Sequence, residues 1–117
     1  AESERDVPLV GATLWGLMRA VECCDGGLLF PRYCTPEGNK ANYASSALHK
    51  WLRSFVPKGC VVHSFRHSMR DRLRAVQCPS DIIDQIGGWQ TAGVGQGYGR
   101  GYELNVLHKW LEKVMKE

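Results

Sequence analysis

The stretch of sequence that decides the fold lies at residues 63–74 and reads HSFRHSMRDRLR. Four arginines stand in its last nine residues, against a single aspartate. Arg66, Arg70 and Arg74 follow one another at four-residue steps, so a helix places them on one face, roughly opposite the apolar residues of the stretch. Such a face is either a solvated basic surface or a surface that contacts phosphate, because the guanidinium fork matches two phosphate oxygens.

Apolar residues at three- and four-residue spacing predict five helices along the chain. The first ends at the Gly26-Gly27 turn, and the second covers residues 39–55. The apolar stripe of the second helix consists of Tyr43, Ala47, Leu48, Trp51, Leu52 and Phe55. The third helix follows His63 and carries Phe65, Met69, Leu73 and Val76 at the same spacing. The fourth starts at Pro79, with Ile82, Ile83 and Ile86 facing inward. The last carries the apolar stripe of residues 104–114, which consists of Leu104, Leu107, Leu111 and Val114. Residues 5–10 read as a short extended segment. The predicted fold class is therefore mainly α (α+β), with a short β element near the N-terminus.

The composition is typical of an ordinary globular protein. A hydrophobic fraction of 44% and a charged fraction of 23% over 117 residues argue against a disordered chain, a collagen-like repeat and a coiled coil. No apolar run approaches the roughly 20 residues of a membrane span, and the charged N-terminus lacks the apolar core of a signal peptide. The net charge of +3 does not by itself indicate a polyanionic partner. We therefore expect one domain, no membrane partner and a cytoplasmic location.

The cysteines are odd in number and include the adjacent pair Cys23 and Cys24. No Cys-x-x-Cys occurs, and the histidines do not stand at zinc-finger offsets from the cysteines. We expect reduced, mostly buried thiols of an intracellular protein, with no disulfide framework, no metal and no cofactor.

Three short motifs follow one another at characteristic distances. His63-x-x-Arg66 comes first, Trp89 follows 26 residues after His63 and directly after Gly87-Gly88, and Tyr98 comes nine residues after Trp89 in a glycine-rich stretch. This order resembles the C-terminal part of the tyrosine recombinases, the phage integrase family. The signature of that family is His-x-x-Arg, then Gly-His/Trp, then a nucleophilic tyrosine about nine residues later.

The resemblance implies site-specific DNA recombination or integration through a 3′-phosphotyrosyl intermediate. Tyr98 would attack the scissile phosphate, Arg66 would hold a non-bridging oxygen, and His63 would bind the same phosphate or help take the tyrosine proton. The indole N–H of Trp89 only donates, so Trp89 would bind an oxygen or position the tyrosine. Arg70 and Arg74 would contact the DNA backbone, while the remaining arginines would contact DNA or solvent.

The resemblance also predicts what this stretch of chain lacks. Residues 3–9 resemble the second strand of a β-hairpin that carries an active-site lysine in this family. That lysine would precede Ala1, and a further active-site arginine of the family would precede it as well. We therefore interpret residues 1–117 as a C-terminal fragment of the recombinase catalytic domain, bacterial or prophage-encoded and nucleoid-associated. Alone it should be poorly active. Its expected partners are double-stranded DNA and, for the full-length protein, further copies in a tetrameric synapse. The apolar stripe of residues 104–114 either contacts a neighbouring copy in that synapse or packs on its own domain.

Three alternatives stay open from the sequence. Tyr102 is a rival nucleophile four residues after Tyr98, although the nine-residue spacing favours Tyr98. The whole chain is alternatively a non-catalytic DNA-binding module, because the two helices joined near Pro79 resemble a helix-turn-helix. A purely structural interaction domain would show no salt-dependent affinity for DNA.

Overall fold

The computed structural model of the chain describes residues 4–90 and 101–116, and its architecture is mainly α. The elements in chain order are the helix α1 (Gly11–Glu22), the strands β1 (Cys34–Thr35) and β2 (Gly38–Asn39), and the helices α2 (Ala41–Leu52), α3 (Ser64–Ala75), α4 (Ser80–Gly87) and α5 (Leu104–Met115). The predicted mainly α class is confirmed. The second to fifth predicted helices all start or end within three residues of the observed bounds.

The β element lies at a different place from the one that the sequence predicted. β1 and β2 form an antiparallel pair in which Cys34 lies opposite Asn39 and Thr35 opposite Gly38. Residues 4–10 form no strand, so the prediction of a β element near the N-terminus was wrong. A strand needs a neighbouring strand for its backbone hydrogen bonds, and the described part of the chain places none beside this segment.

The chain divides into two compact units. One unit is Leu14–Phe65, and the other combines the segment before Leu14 with the chain from Arg66 onwards. Helices α1 and α3 each cross a boundary between the two units.

The unit that contains α4 and α5 holds a continuous hydrophobic core. Its buried members are apolar side chains of the N-terminal segment, of the end of α3 and the turn after it, and of the helices α4 and α5. They are Val10, Leu73, Cys78, Ile82, Ile83, Ile86, Leu107, Leu111 and Val114. The apolar stripe on α5 therefore packs on its own unit, and only its first member, Leu104, is half exposed. Burial of these side chains is the main contribution to the stability of this unit.

Cys78 lies in the turn that joins α3 to α4 and belongs to this core. Burial raises the pKa of its thiol to about 11, and the neighbouring carboxylate of Asp81 acts in the same direction. The same turn places Gln77 at φ 62°, in the left-handed region, and the Cys78 N–H donates to the carbonyl of Leu73 at 3.0 Å. The turn is therefore tight and hydrogen-bonded.

The Leu14–Phe65 unit buries much less apolar surface. On α2 only Leu52 is buried, while the other large members of its predicted stripe, Tyr43, Leu48, Trp51 and Phe55, are exposed. His49 on α2 stabilises the following loop, because its Nε2 accepts a hydrogen bond from the Val62 N–H at 3.1 Å. Neither this loop nor α2 supplies a further buried apolar layer.

No helix in the described ranges is both long enough and apolar enough to cross a membrane.

Candidate phosphate-binding site

The site is organised by the turn that ends α4. Gly88 stands in the left-handed region at φ 66°, and its N–H donates to the carbonyl of Asp84. Trp89 donates its own N–H to the same carbonyl at 3.0 Å. Glycine at this position is the common way to end a helix, because a residue with a Cβ is strained there. The turn therefore fixes the backbone of Trp89 directly after α4.

The two glycines before Trp89 are required for different reasons, Gly87 for space and Gly88 chiefly for its left-handed backbone. The indole of Trp89 lies so close over Gly87 that a Cβ there would be 1.8 Å from the ring carbon Cζ3. A Cβ on Gly88 would lie 2.6 Å from Nη1 of Arg5, whose Nε donates to the carbonyl of Ile86 at 2.9 Å. The lack of side chains thus leaves space for the indole of Trp89 beside Gly87 and for the guanidinium of Arg5 beside Gly88.

Two arginines of α3 contact the indole of Trp89. The Cζ atom of Arg66 is 4.3 Å from the ring centroid, and that of Arg70 is 5.0 Å from it. Both distances lie in the range of cation–π attraction. Arg66 and Arg70 are one turn apart on α3, so the helix presents both guanidinium groups to one ring. Two of the motif residues, Arg66 and Trp89, are thereby in contact although 23 positions separate them in the sequence.

Arg66 and Trp89 line one cavity with Arg5. The cavity has a volume of about 300 Å³, and its other walls are largely apolar, with Pro8, Leu9, Met69 and Leu111 among them. Within the described ranges, neither Arg66 nor Arg70 forms an ion pair with a carboxylate. A guanidinium without an ion-pair partner beside apolar walls, such as that of Arg66, attracts an anion strongly, because the local dielectric constant is lower than that of water.

His63 lies in the turn before α3. The Ser64 Oγ accepts a hydrogen bond from the Val61 N–H at 2.9 Å, and the Ser64 N–H donates to the Val61 carbonyl at 2.9 Å. These two bonds fix the backbone on both sides of His63, whose side chain is exposed. His63 belongs to the Leu14–Phe65 unit and Arg66 to the other unit.

Of the two tyrosines that the sequence singles out, Tyr98 lies outside the described residues, and Tyr102 is bound to α4. The Tyr102 hydroxyl donates a hydrogen bond to the carboxylate of Asp81. The Gln85 side chain accepts from the Tyr102 N–H at 2.8 Å and donates to its carbonyl at 2.9 Å. The hydrogen bond to Asp81 raises the pKa of the Tyr102 phenol, and desolvation acts in the same direction.

The remaining arginines of α3 differ in their surroundings. Arg74 is exposed, in keeping with either role that the sequence left open for the basic face. Arg72, which was expected to contact DNA or solvent, donates from Nη2 to the carbonyl of Val114 at 3.2 Å. A cation near the end of a helix is favourable, so Arg72 ties α3 to the last turn of α5.

Sequence reasoning did not assign Arg5 to the site. The residue was noted only as part of a strand-like motif, yet it lines the cavity and bonds to the end of α4. No local pattern could indicate this contact, since Arg5 and Ile86 are 81 positions apart. The one sequence feature that indicates a close neighbour at this turn is the pair Gly87-Gly88, and it does not identify that neighbour.

Within residues 4–90 and 101–116, no three side chains of the types that ligate metals come close enough together to hold an ion. Compared with known proteins, the chain matches no family model, no curated protein and no solved structure.

Proposed function

We propose that this chain carries a phosphodiester-cleaving site of the tyrosine recombinase type and acts on double-stranded DNA. The contact between Arg66 and Trp89, at the wall of a cavity that Arg5 also lines, is the observation that supports the proposal most directly. A guanidinium stacked on an indole loses little further freedom when it binds an anion, and a planar fork suits a phosphate. The motif order at residues 63–98 is the second support.

In the proposed reaction the hydroxyl oxygen of Tyr98 attacks the phosphorus of a DNA phosphodiester. A bond forms between phosphorus and the phenolic oxygen, and the bond from phosphorus to the 5′ oxygen breaks. His63 or water accepts the phenolic proton, and the departing 5′ oxygen takes a proton from water to become a 5′ hydroxyl. The resulting 3′-phosphotyrosyl bond retains the energy of the phosphodiester, so a 5′ hydroxyl can reverse the reaction without ATP. Arg66 stabilises the charge on the non-bridging oxygens.

The environment of Tyr102 supports Tyr98 as the nucleophile. A phenol that donates to a neighbouring carboxylate has a raised pKa and yields its proton less readily. Both backbone polar groups of Tyr102 are also bound to Gln85, which fixes this residue against α4. A structural role accounts for Tyr102 without any part in catalysis.

DNA is proposed as the partner because, within residues 4–90 and 101–116, the α3 residues Arg66 and Arg70 form no ion pair with an acid. Arg74 continues the row of Arg66 and Arg70 by one more turn and is exposed, which suits a contact to a backbone phosphate. A tetrameric assembly stays a proposal from the resemblance. The apolar stripe of α5 is not available to it, since Leu107, Leu111 and Val114 are buried in their own unit.

The proposal is tested with DNA that carries an activated leaving group. The chain is incubated with random-sequence duplexes that contain a bridging sulfur in place of one 5′ oxygen. A thiolate leaves without a general acid, so cleavage does not depend on a side chain that protonates the leaving group. We expect a covalent protein–DNA adduct that resists denaturation, that disappears in Tyr98→Phe and that persists in Tyr102→Phe.

Each alternative gives a different result in the same assay. An adduct that persists in Tyr98→Phe and disappears in Tyr102→Phe would transfer the chemistry to Tyr102. Salt-dependent DNA binding with no adduct from the unmodified chain would favour the non-catalytic DNA-binding module. Absence of salt-dependent binding would contradict both forms of the proposal.

A further inference from the structure

Arg70 differs from Arg66 in what surrounds its guanidinium. Both lie against the indole of Trp89, but only Arg66 also lines the cavity beside Arg5. The Nε of Arg70 is buried and has no hydrogen-bond partner within the described ranges. A buried donor without an acceptor is costly, so the contact with the ring face must offset part of that cost.

The stack consists of two cations on a single ring. Like charges repel, so the two guanidinium groups stay near each other only because the α3 backbone and the indole hold them. Trp89 cannot withdraw towards α4, since it already lies directly over Gly87. Contact with Arg70 and the close approach to Gly87 therefore both limit the movement of the indole.

We propose that Arg70 is a positioning residue that acts through Trp89. It holds the indole in the place where it supports Arg66, and Arg66 alone of the two meets the phosphate. An arginine side chain that is free to rotate must lose rotamer entropy when it binds, and the stack removes that loss from the binding step. The expected effect of Arg70 on activity rests on the proposed function. Its expected effect on the NMR signal of Trp89 rests only on the contact between the two side chains.

The first experiment follows the indole N–H signal of Trp89 by NMR in the otherwise unmodified chain. Trp89→Phe assigns this signal among those of the other tryptophans. Arg70→Met removes the guanidinium and keeps much of the aliphatic stem, Arg70→Lys keeps the charge without the planar fork, and Arg74→Met is the matched control one turn further along α3. We expect Arg70→Met to shift and broaden the Trp89 signal, Arg70→Lys to restore it in part, and Arg74→Met to leave it unchanged.

The second experiment compares DNA binding with adduct formation on the sulfur-bridged duplexes. We expect Arg70→Met to slow adduct formation about tenfold, as the loss of a partly buried cation–π contact implies. Its affinity for the duplex and the salt dependence of binding should stay close to those of the unmodified chain. Arg74→Met should instead weaken duplex binding and reduce its salt dependence by about one phosphate contact.

Two results would overturn the inference. An unchanged Trp89 signal in Arg70→Met would show that Arg70 does not hold the indole. A salt dependence reduced by about one contact in Arg70→Met would identify Arg70 as a direct phosphate ligand. If the unmodified chain forms no adduct, the proposed function fails by itself, and the NMR comparison still decides the role of Arg70.

Discussion

Gly87 is the residue on which the geometry of the site depends most directly. It is buried in α4, and the indole of Trp89 occupies the space that any side chain would need. Three ring carbons lie within 2.4 Å of the position of a Cβ, the nearest at 1.8 Å. The glycine before Trp89 is therefore a steric requirement of the stack, whereas helix propensity alone would favour alanine here.

The change Gly87→Ala is expected to displace the indole and to destabilise the chain by about 1–3 kcal/mol, the usual cost of overpacking a filled site. Urea denaturation measures this free energy, and the indole N–H signal of Trp89 reports the displacement.

Gly16→Ala is the matched control for this change. A Cβ on Gly16 would meet nothing within 4 Å, and the residue lies inside α1. It should therefore stabilise its helix by about 0.5–1 kcal/mol. A Gly87→Ala chain with full stability and an unshifted Trp89 signal would contradict the steric role of Gly87 in the turn.

At the scale of the elements, one side chain connects α4 with the start of α5. The Gln85 amide makes two hydrogen bonds to the backbone of Tyr102, in the manner of a neighbouring strand. A side chain at position 101 would disturb the same contact. Gly101 stands at φ 76°, and a Cβ there would lie 2.9 Å from Oε1 of Gln85. The helix that carries the site turn is thereby fixed to the segment that enters α5.

The change Gln85→Leu keeps a similar volume and removes both hydrogen bonds. We expect a loss of about 1–2 kcal/mol in the free energy of unfolding, since Tyr102 is exposed and water replaces part of what is lost. Hydrogen exchange at the Tyr102 amide should accelerate about tenfold by the same reasoning. Gln90→Leu, at an exposed position, is the control and should change neither quantity. Equal exchange rates in Gln85→Leu and the unmodified chain would exclude a stabilising role for this contact.

At the scale of the whole molecule, the buried apolar side chains are unevenly distributed. Nine of the buried hydrophobic residues form the core around α4 and α5, whereas Leu52 alone is buried in the Leu14–Phe65 unit. Apolar burial is the dominant favourable contribution to folding, so the two units differ in their resistance to local opening. The core around α4 and α5 is the more stable part, and it supports Trp89.

The periodicity of the sequence was sufficient to predict five helices and the inward positions on α4 and α5. It failed for the stripe on α2, because a helical pattern states which residues share a face and not whether another element covers that face. Phe65 shows the same failure on α3, where it was grouped with Leu73 but is exposed.

The site was predictable only in part. The motif spacing singled out Arg66 and Trp89, whose contact the structure describes. Arg5 at the cavity wall was not predictable, because its contact joins positions that are 81 residues apart. The bond from Arg72 to Val114 was missed for the same reason, since a row of arginines does not reveal which of them faces another helix.

The buried thiol of Cys78 makes the opening of the core a measurable chemical event. A pKa of about 11, against an ordinary value of 9.0, leaves about a hundredfold less thiolate near neutral pH than an unperturbed cysteine has. Cys23 and Cys60 are exposed and should react with a maleimide or iodoacetamide in a fast phase. Cys78 should react in a slow phase whose rate follows the fraction of molecules in which the core is open.

This slow phase should disappear in Cys78→Ala and should accelerate with urea in parallel with global unfolding. Modification of Cys78 as fast as that of Cys60 in native buffer would show that the core does not protect it. The rate at which the Cys78 thiol is modified thus reports the fraction of molecules in which the core is open, at a position that the natural sequence already supplies.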